Sequence, residues 1–171
     1  MKAARLAGAD SEGVAAPALA LALAVPALLL ALSVAGLGIS SYLAYTHWAD
    51  ATIACGGVGN CNLVNSSEYA EMAGMPVALL GALSYSAMIA STLAWLWLRP
   101  SGLAWPVMVF WGLSVGGTLY SAYLTYVEIF VLEAICIYCV ASAGIILASF
   151  LVSTGWVMRE AQASDNGYET D

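Results

Sequence analysis

Residues 133–150 read EAICIYCVASAGIILASF, two cysteines three residues apart at the mouth of a long apolar run. On a helix, residues three apart share a face, with Cβ atoms about 5–6 Å from one another. That is close to the separation a disulfide tolerates, so Cys136 and Cys139 can open and close a bond reversibly. A helix N-terminus also stabilises a thiolate, through the macrodipole and the unsatisfied N–H groups of the first turn. The thiolate is the form that attacks disulfides. The alternative is a structural staple. A four-residue ring contributes only about 2 kcal/mol by chain entropy, and a helix held by lipid needs little such support. The reactive reading is therefore preferred.

Outward from this stretch, the 171-residue chain is 62% hydrophobic and 9% charged, too apolar for a soluble domain. Crossing a bilayer core about 30 Å thick takes roughly 20 helical residues. Four stretches qualify: 17–45, 76–98, 104–126 and 134–157. The expectation is an all-α membrane protein, a four-transmembrane-helix bundle forming one domain over 17–157, with tails at 1–16 and 158–171. The first run is longer than the roughly 7–15 apolar residues of a secretory signal, so it counts as a span. The period-two alternation of a transmembrane barrel is absent.

The net charge of −7 does not suggest a nucleic-acid partner. With four spans, both termini and the middle connection share a side, and all four basic residues, Lys2, Arg5, Arg99 and Arg159, fall there. The positive-inside rule makes that side cytoplasmic. The expected location is the inner or plasma membrane, multi-pass, with both termini in the cytoplasm. Cys55, Cys61, Cys136 and Cys139 then face the oxidising side, where an even cysteine count favours disulfides over zinc.

The extracytoplasmic connection 47–75 is longer than neighbouring helices need, which points to function. It divides into CGGVGNC (55–61) and NSSEYAEMAG (65–74). The second part reads as a short interfacial helix, capped by Asn65 or Ser66 and ended by Gly74. It would turn Glu68 and Glu71 to water and Tyr69, Met72 and Met75 to lipid. The connection LRPSGLAWP (98–106) reads as a short turn built on Arg99, Pro100 and Gly102. For Cys55 and Cys61 alone, a loop staple and an exchanging pair are equally compatible with the spacing, though three glycines between them favour mobility. Two dithiols on one side of one membrane suggest an electron relay. The chain offers no haem, flavin or metal motif, and the membrane-soluble acceptor of two electrons from a dithiol is a quinone.

The resemblance then becomes specific. CGGVGNC, Ser67 six residues after its second cysteine, GMPVALLG (74–81) opening the second span, and YLTYVEIFVLEAICIYC (123–139) together resemble the bacterial branch of the vitamin K epoxide reductase family. The resemblance covers about residues 38–147. It implies a four-helix bundle around a quinone, capped by the segment between the first two helices. By position it implies that Cys55 takes electrons from an external protein thiol, Cys61 shuttles them to Cys136, and Cys139 donates to the quinone. Ser67 matches the family's Ser/Thr near the headgroup, with Ser66 the neighbouring candidate. Animal members carry a tyrosine four residues after the last cysteine, where this chain has Ala143. Many bacterial members carry a fused thioredoxin-like domain, absent from this sequence, which implies a separate thioredoxin-fold partner.

Other residues read two ways. His47 is a base for thiolate formation or an interfacial histidine, and the latter is preferred. Trp48, Trp95, Trp97, Trp105 and Trp156 read as an aromatic belt. Tyr120, Tyr123 and Tyr126 share a helical face; Tyr120 and Tyr123 are candidate quinone contacts, against packing or belt roles. Glu128 and Glu133 read as solvated carboxylates. The function expected is a membrane thiol:quinone oxidoreductase that makes disulfides, with a menaquinone, ubiquinone or related quinone and no metal, flavin or haem. The rivals are quinone or quinone-epoxide recycling, and a tetraspan scaffold with two structural disulfides.

Overall fold

The computed structural model describes residues 2–57, 59–72, 74–98 and 105–168. Five α-helices follow in chain order among these residues: α1 (Lys2–Trp48), α2 (Cys61–Asn65), α3 (Val77–Leu98), α4 (Trp105–Phe130) and α5 (Ile137–Tyr168). Their apolar portions, Leu23–Trp48, Val77–Leu98, Trp105–Phe130 and Ile137–Arg159, are each long enough to cross a membrane. α1 packs on α3 and α5, and α4 packs on the same two, so the four long helices close a ring in the order α1, α3, α4, α5. The expected four-helix membrane bundle is the fold.

Its boundaries differ from the sequence reading in ways that matter. Helix α1 continues back to Lys2 and α5 on to Tyr168, through segments read as tails. The first is rich in alanine and the second opens with the good helix formers MREAQA (158–163), so propensity carries the backbone past the apolar run. Helix α4 ends at Phe130 rather than 126, which puts Glu128 inside it. The turn assigned to Arg99, Pro100 and Gly102 lies outside the described residues.

The capping segment also departs from expectation. The short helix is α2, four residues earlier than predicted, with Asn60 as its N-cap accepting from the Leu63 N–H at 3.2 Å. The predicted helix over 65–74 is instead a 3-10 turn at Glu68–Ala70 followed by a two-stranded hairpin, β1 (Glu71–Met72) against β2 (Met75–Pro76). Gly74, at φ 77°, reverses the chain rather than ending a helix. Glu68, Tyr69, Glu71, Met72 and Met75 are exposed. The segment is tied to α1 by His47, whose Nδ1 lies 2.9 Å from the Asn65 carbonyl and Nε2 3.2 Å from Glu71 Oε1. This latch is the structural role of His47.

At the opposite end the core is apolar: Leu29, Met88, Val107 and Phe110 are fully buried. Trp48, Trp97 and Trp105 are exposed, as a belt requires, but Trp95 and Trp156 are buried and meet edge to face at 4.8 Å, with Phe110 against Trp156. The belt reading fails for these two because both rings turn into the bundle, where tight packing replaces the hydrophobic drive that lipid removes. Buried serines serve the same end. Ser114 and Ser153 meet across α4 and α5 at 3.2 Å, one hydroxyl donating to the other, which donates in turn to a carbonyl of its own helix.

Removing the buried ring should cost far more than removing an exposed one. Trp156→Ala is expected to destabilise the bundle by about 3 kcal/mol, while Trp97→Ala, at a residue 89% exposed, leaves stability nearly unchanged. Thermal unfolding in detergent followed by helical circular dichroism measures both.

Candidate active site

The four cysteines gather at one end of the bundle. Cys55 and Cys61 form a disulfide, whereas Cys136 and Cys139 are free thiols. The loop carrying the disulfide is pinned on both flanks by the start of α5. On one side the Tyr138 hydroxyl donates to the Ala54 carbonyl at 3.0 Å. On the other the Asn60 N–H donates to the Ile135 carbonyl at 3.0 Å. Gly59, at φ 78°, presses against that carbonyl so closely that a Cβ would collide with it. Only glycine satisfies both the left-handed backbone and the close approach. Asn62 adds a third tie, its Oδ1 accepting from the Ile53 N–H at 2.7 Å.

The consequence is an ordering of the sulfurs by exposure. Cys55 is half-buried at the surface of the loop. Cys61 and Cys136 are both fully buried and share one packed cluster with Leu43, Ile53 and Val64. Cys139, one turn into α5, lines a cavity of about 310 Å³ at this end of the bundle, whereas Cys136 does not.

Cys136 is the N-cap of α5: its carbonyl accepts from the Val140 N–H at 3.0 Å. Its thiol is pulled down from the ordinary 9.0 to about 7, first by the hydrogen bond from the Cys139 thiol, against burial, and with help from the Cys139 and Tyr138 backbone N–H groups. These are the unsatisfied donors of the first helical turn, turned on a sulfur instead of an oxygen. In the reduced pair, then, Cys136 is the thiolate and Cys139 the thiol that supports it.

The cavity is bounded by all four long helices and by the capping segment. Its size lies at the lower end of small-molecule sites, which begin near about 300 Å³. Gly81, Gly116 and Gly117 line it, and space is tight around two of these: a Cβ on Gly117 would meet Ile146, and one on Gly81 would come within 3.0 Å of Ser40 Oγ. Ser67 lines the cavity, donating at 2.7 Å to the Val64 carbonyl; Ser66 turns away to the Asn62 carbonyl. Tyr120 lines it too, its hydroxyl directed at Met72 Sδ at 3.8 Å. Tyr123 packs on Tyr120 with centroids 6.1 Å apart but is half-exposed and outside the wall.

Two wall residues escaped the sequence reading. Tyr85 is buried, its hydroxyl 3.1 Å from Ser142 Oγ and 3.2 Å from the Ser142 carbonyl, and its ring fills the space a side chain at Gly36 would need. That pairing of a glycine with a ring two helices apart in sequence leaves no local signal. Glu128 is the second. Read as solvated, it is 3% exposed and lines the cavity, because α4 continues two residues past it and its carboxylate caps the approach to α5, accepting from the Cys136 N–H at 3.2 Å. Glu133, at φ 48°, is exposed as expected.

A ring of four membrane-spanning helices with a dithiol facing an apolar cavity and a disulfide lodged beside it defines a multi-pass membrane protein built for thiol–disulfide chemistry. The model of the Vitamin K epoxide reductase family matches residues 27–154. The chain belongs to that family, whose members are membrane quinone-linked disulfide oxidoreductases that generally work with a thioredoxin-like partner.

Two outcomes follow from this geometry. Gly59→Ala should push the loop off Ile135 and slow exchange between the two cysteine pairs by about 10²-fold, the scale of an ångström misplacement, as read by quenched alkylation and disulfide mapping. The thiolate absorbance of Cys136, measured with Cys55–Cys61 intact, should titrate near pH 7 and disappear in Cys136→Ser. Because the folded value lies below the free-thiol value of 9.0, the thiolate's contribution to stability is full above about pH 9 and is lost as pH falls through about 7.

Proposed function

We propose that the protein is a thiol:quinone oxidoreductase that generates disulfides on the outer side of the plasma membrane, with both termini cytoplasmic. A thioredoxin-fold dithiol reduces the Cys55–Cys61 disulfide by attack on Cys55. Cys61 then attacks Cys136 of an oxidised Cys136–Cys139 pair, and Cys139 leaves as the sulfur facing the cavity. The partner's second thiol frees Cys55, which closes on Cys61 and releases Cys136. The Cys136–Cys139 dithiol then gives two electrons to the quinone as its disulfide reforms, so the net reaction is partner dithiol plus quinone giving partner disulfide plus quinol. The quinone supplies the two-electron acceptor, and its potential sets the direction, each 30 mV being about 1.4 kcal/mol.

The observation that carries this reading is the division of labour in burial: Cys55 at the surface, Cys61 with Cys136 in one sealed cluster, and Cys139 alone of the four on the cavity wall. A structural pair of disulfides would need no such gradation, nor a free dithiol. The cavity fits a quinone headgroup: about 310 Å³, largely apolar, with a few hydroxyls from Ser67, Tyr120 and Tyr85 on its wall. Ser67 and Tyr120 are the side chains proposed to orient the ring, with Tyr123 supporting Tyr120 from outside. The positive-inside distribution of Lys2, Arg5, Arg99 and Arg159 supports the orientation.

Trapping tests the order of the thiols. Cys61→Ser should leave Cys55 unable to resolve, so that a mixed disulfide between Cys55 and a thioredoxin-fold protein accumulates. Cys136→Ser with quinone bound should show a long-wavelength charge-transfer absorbance that Cys139→Ser lacks. A partner bonded to Cys136, or equal absorbance from both variants, would contradict the assignment.

A further inference from the structure

Glu128 is the buried acid that the relay as described leaves unused. It has no cationic partner among the described residues, where the recorded ion pair is His47–Glu71 on the outer segment. Burying a carboxylate without a cation is expensive unless hydrogen bonds compensate. Here the Cys136 N–H donates to Oε2 at 3.2 Å, and the carboxylate shares the cavity wall with Cys139. Glu128 therefore holds the backbone of one member of the reacting pair and shares the cavity wall with the other. The other titratable groups lining that cavity are Cys139 from α5, Tyr120 from α4, Tyr85 from α3 and Tyr69 from the capping segment. None is a cation, and none but Glu128 is a carboxylate.

Resting on the thiol:quinone reading above, we propose that Glu128 is a catalytic residue: it accepts the Cys139 thiol proton as the Cys136–Cys139 disulfide closes and holds it at the cavity wall for delivery to the quinol. The step balances. Starting from the Cys136 thiolate and the Cys139 thiol, one S–S bond forms, one S–H bond breaks, and two electrons leave for the quinone. The one proton goes to the Glu128 carboxylate. The quinol takes that proton and a second from water, equal to the one Cys136 had already given up. Position favours Glu128 over bulk water because it is buried, holds the Cys136 N–H and is the one carboxylate on the cavity wall that Cys139 lines. The same contact explains why a membrane-buried acid stands eight residues before Cys136: the end of α4 and the tight connection fold it back on the dithiol, with the Ala134 N–H donating to the Glu128 carbonyl at 3.0 Å.

The test uses the full chain in lipid nanodiscs and infrared difference spectra between the reduced and oxidised Cys136–Cys139 pair, with a small disulfide as oxidant so that no quinone is needed. Oxidation should produce a protonated-carboxyl C=O band that shifts in D2O, persists in Glu71→Gln and is missing from Glu128→Gln. In a second arm, prereduced Glu128→Gln should form quinol from a soluble benzoquinone about 10²-fold more slowly than the native chain, the lower end of general acid–base effects. Glu128→Asp should recover part of that rate, while reduction of Cys55–Cys61 by a small dithiol stays unchanged in both variants. Should Glu128→Gln fail to fold, the native infrared spectrum still decides. A native spectrum without the band, or a Glu128→Gln chain that forms quinol at the native rate, would overturn the proposal and leave the thiol:quinone reading intact. A native chain that reduces no quinone would instead overturn that reading.

Discussion

Everything at the reactive end depends on one backbone contact, the Asn60 N–H on the Ile135 carbonyl with Gly59 pressed beside it. It fastens the disulfide loop to the residue immediately before Cys136, so the loop is a docked element and not a free tether. Without it the two cysteine pairs would merely share a side of the membrane. With it, Cys61 is carried into the same closed cluster as Cys136, and the entropy of bringing two dithiols together is met in folding instead of at each turnover. The Tyr138 hydroxyl on Ala54 closes the other flank, and Tyr138 itself is braced by Tyr42 of α1, centroids 5.3 Å apart. The first helix, the loop and the fourth transmembrane helix thus act as one mount for the sulfurs.

The mount makes the two thiols of the helix pair unequal. Cys136 receives the free N–H groups of the α5 N-terminus and the Cys139 thiol, which lowers its value to about 7. That is near ambient pH, where a thiol combines a useful thiolate fraction with good nucleophilicity. Cys139 gives its hydrogen to Cys136 and faces the cavity. One sulfur is tuned for exchange with another sulfur and the other placed for contact with a ligand. The helix dipole, the position of the span boundary and Glu128 combine to produce that asymmetry from a motif that is symmetrical in sequence.

The bundle was legible because hydropathy alone requires it: a span is long, continuous and indifferent to detail. The cysteines were legible because their chemistry is rare and their spacing is local. What escaped depended on residues far apart in sequence. The helix expected over 65–74 became a turn and a hairpin because Asn60 provided the earlier cap and Gly74 took a left-handed conformation. Trp95 and Trp156 sit at span ends, as belt residues do, and only the helix rotations reveal that they face one another. Glu128 looked exposed while the third span was ended at 126. In the fold α4 runs to Phe130, and the connection to α5 turns the acid inward. Tyr85 carried no signal beyond being a tyrosine in an apolar run.

The account stands or falls on whether Cys61 and Cys136 are direct neighbours in the electron path. The double variant Cys55→Ser/Cys139→Ser leaves only these two thiols, and mild oxidation followed by non-reducing peptide mapping shows which bonds they form. Rapid, near-complete closure of an intramolecular Cys61–Cys136 disulfide is the result predicted. Two thiols that stay free, or that pair only between molecules, would contradict it.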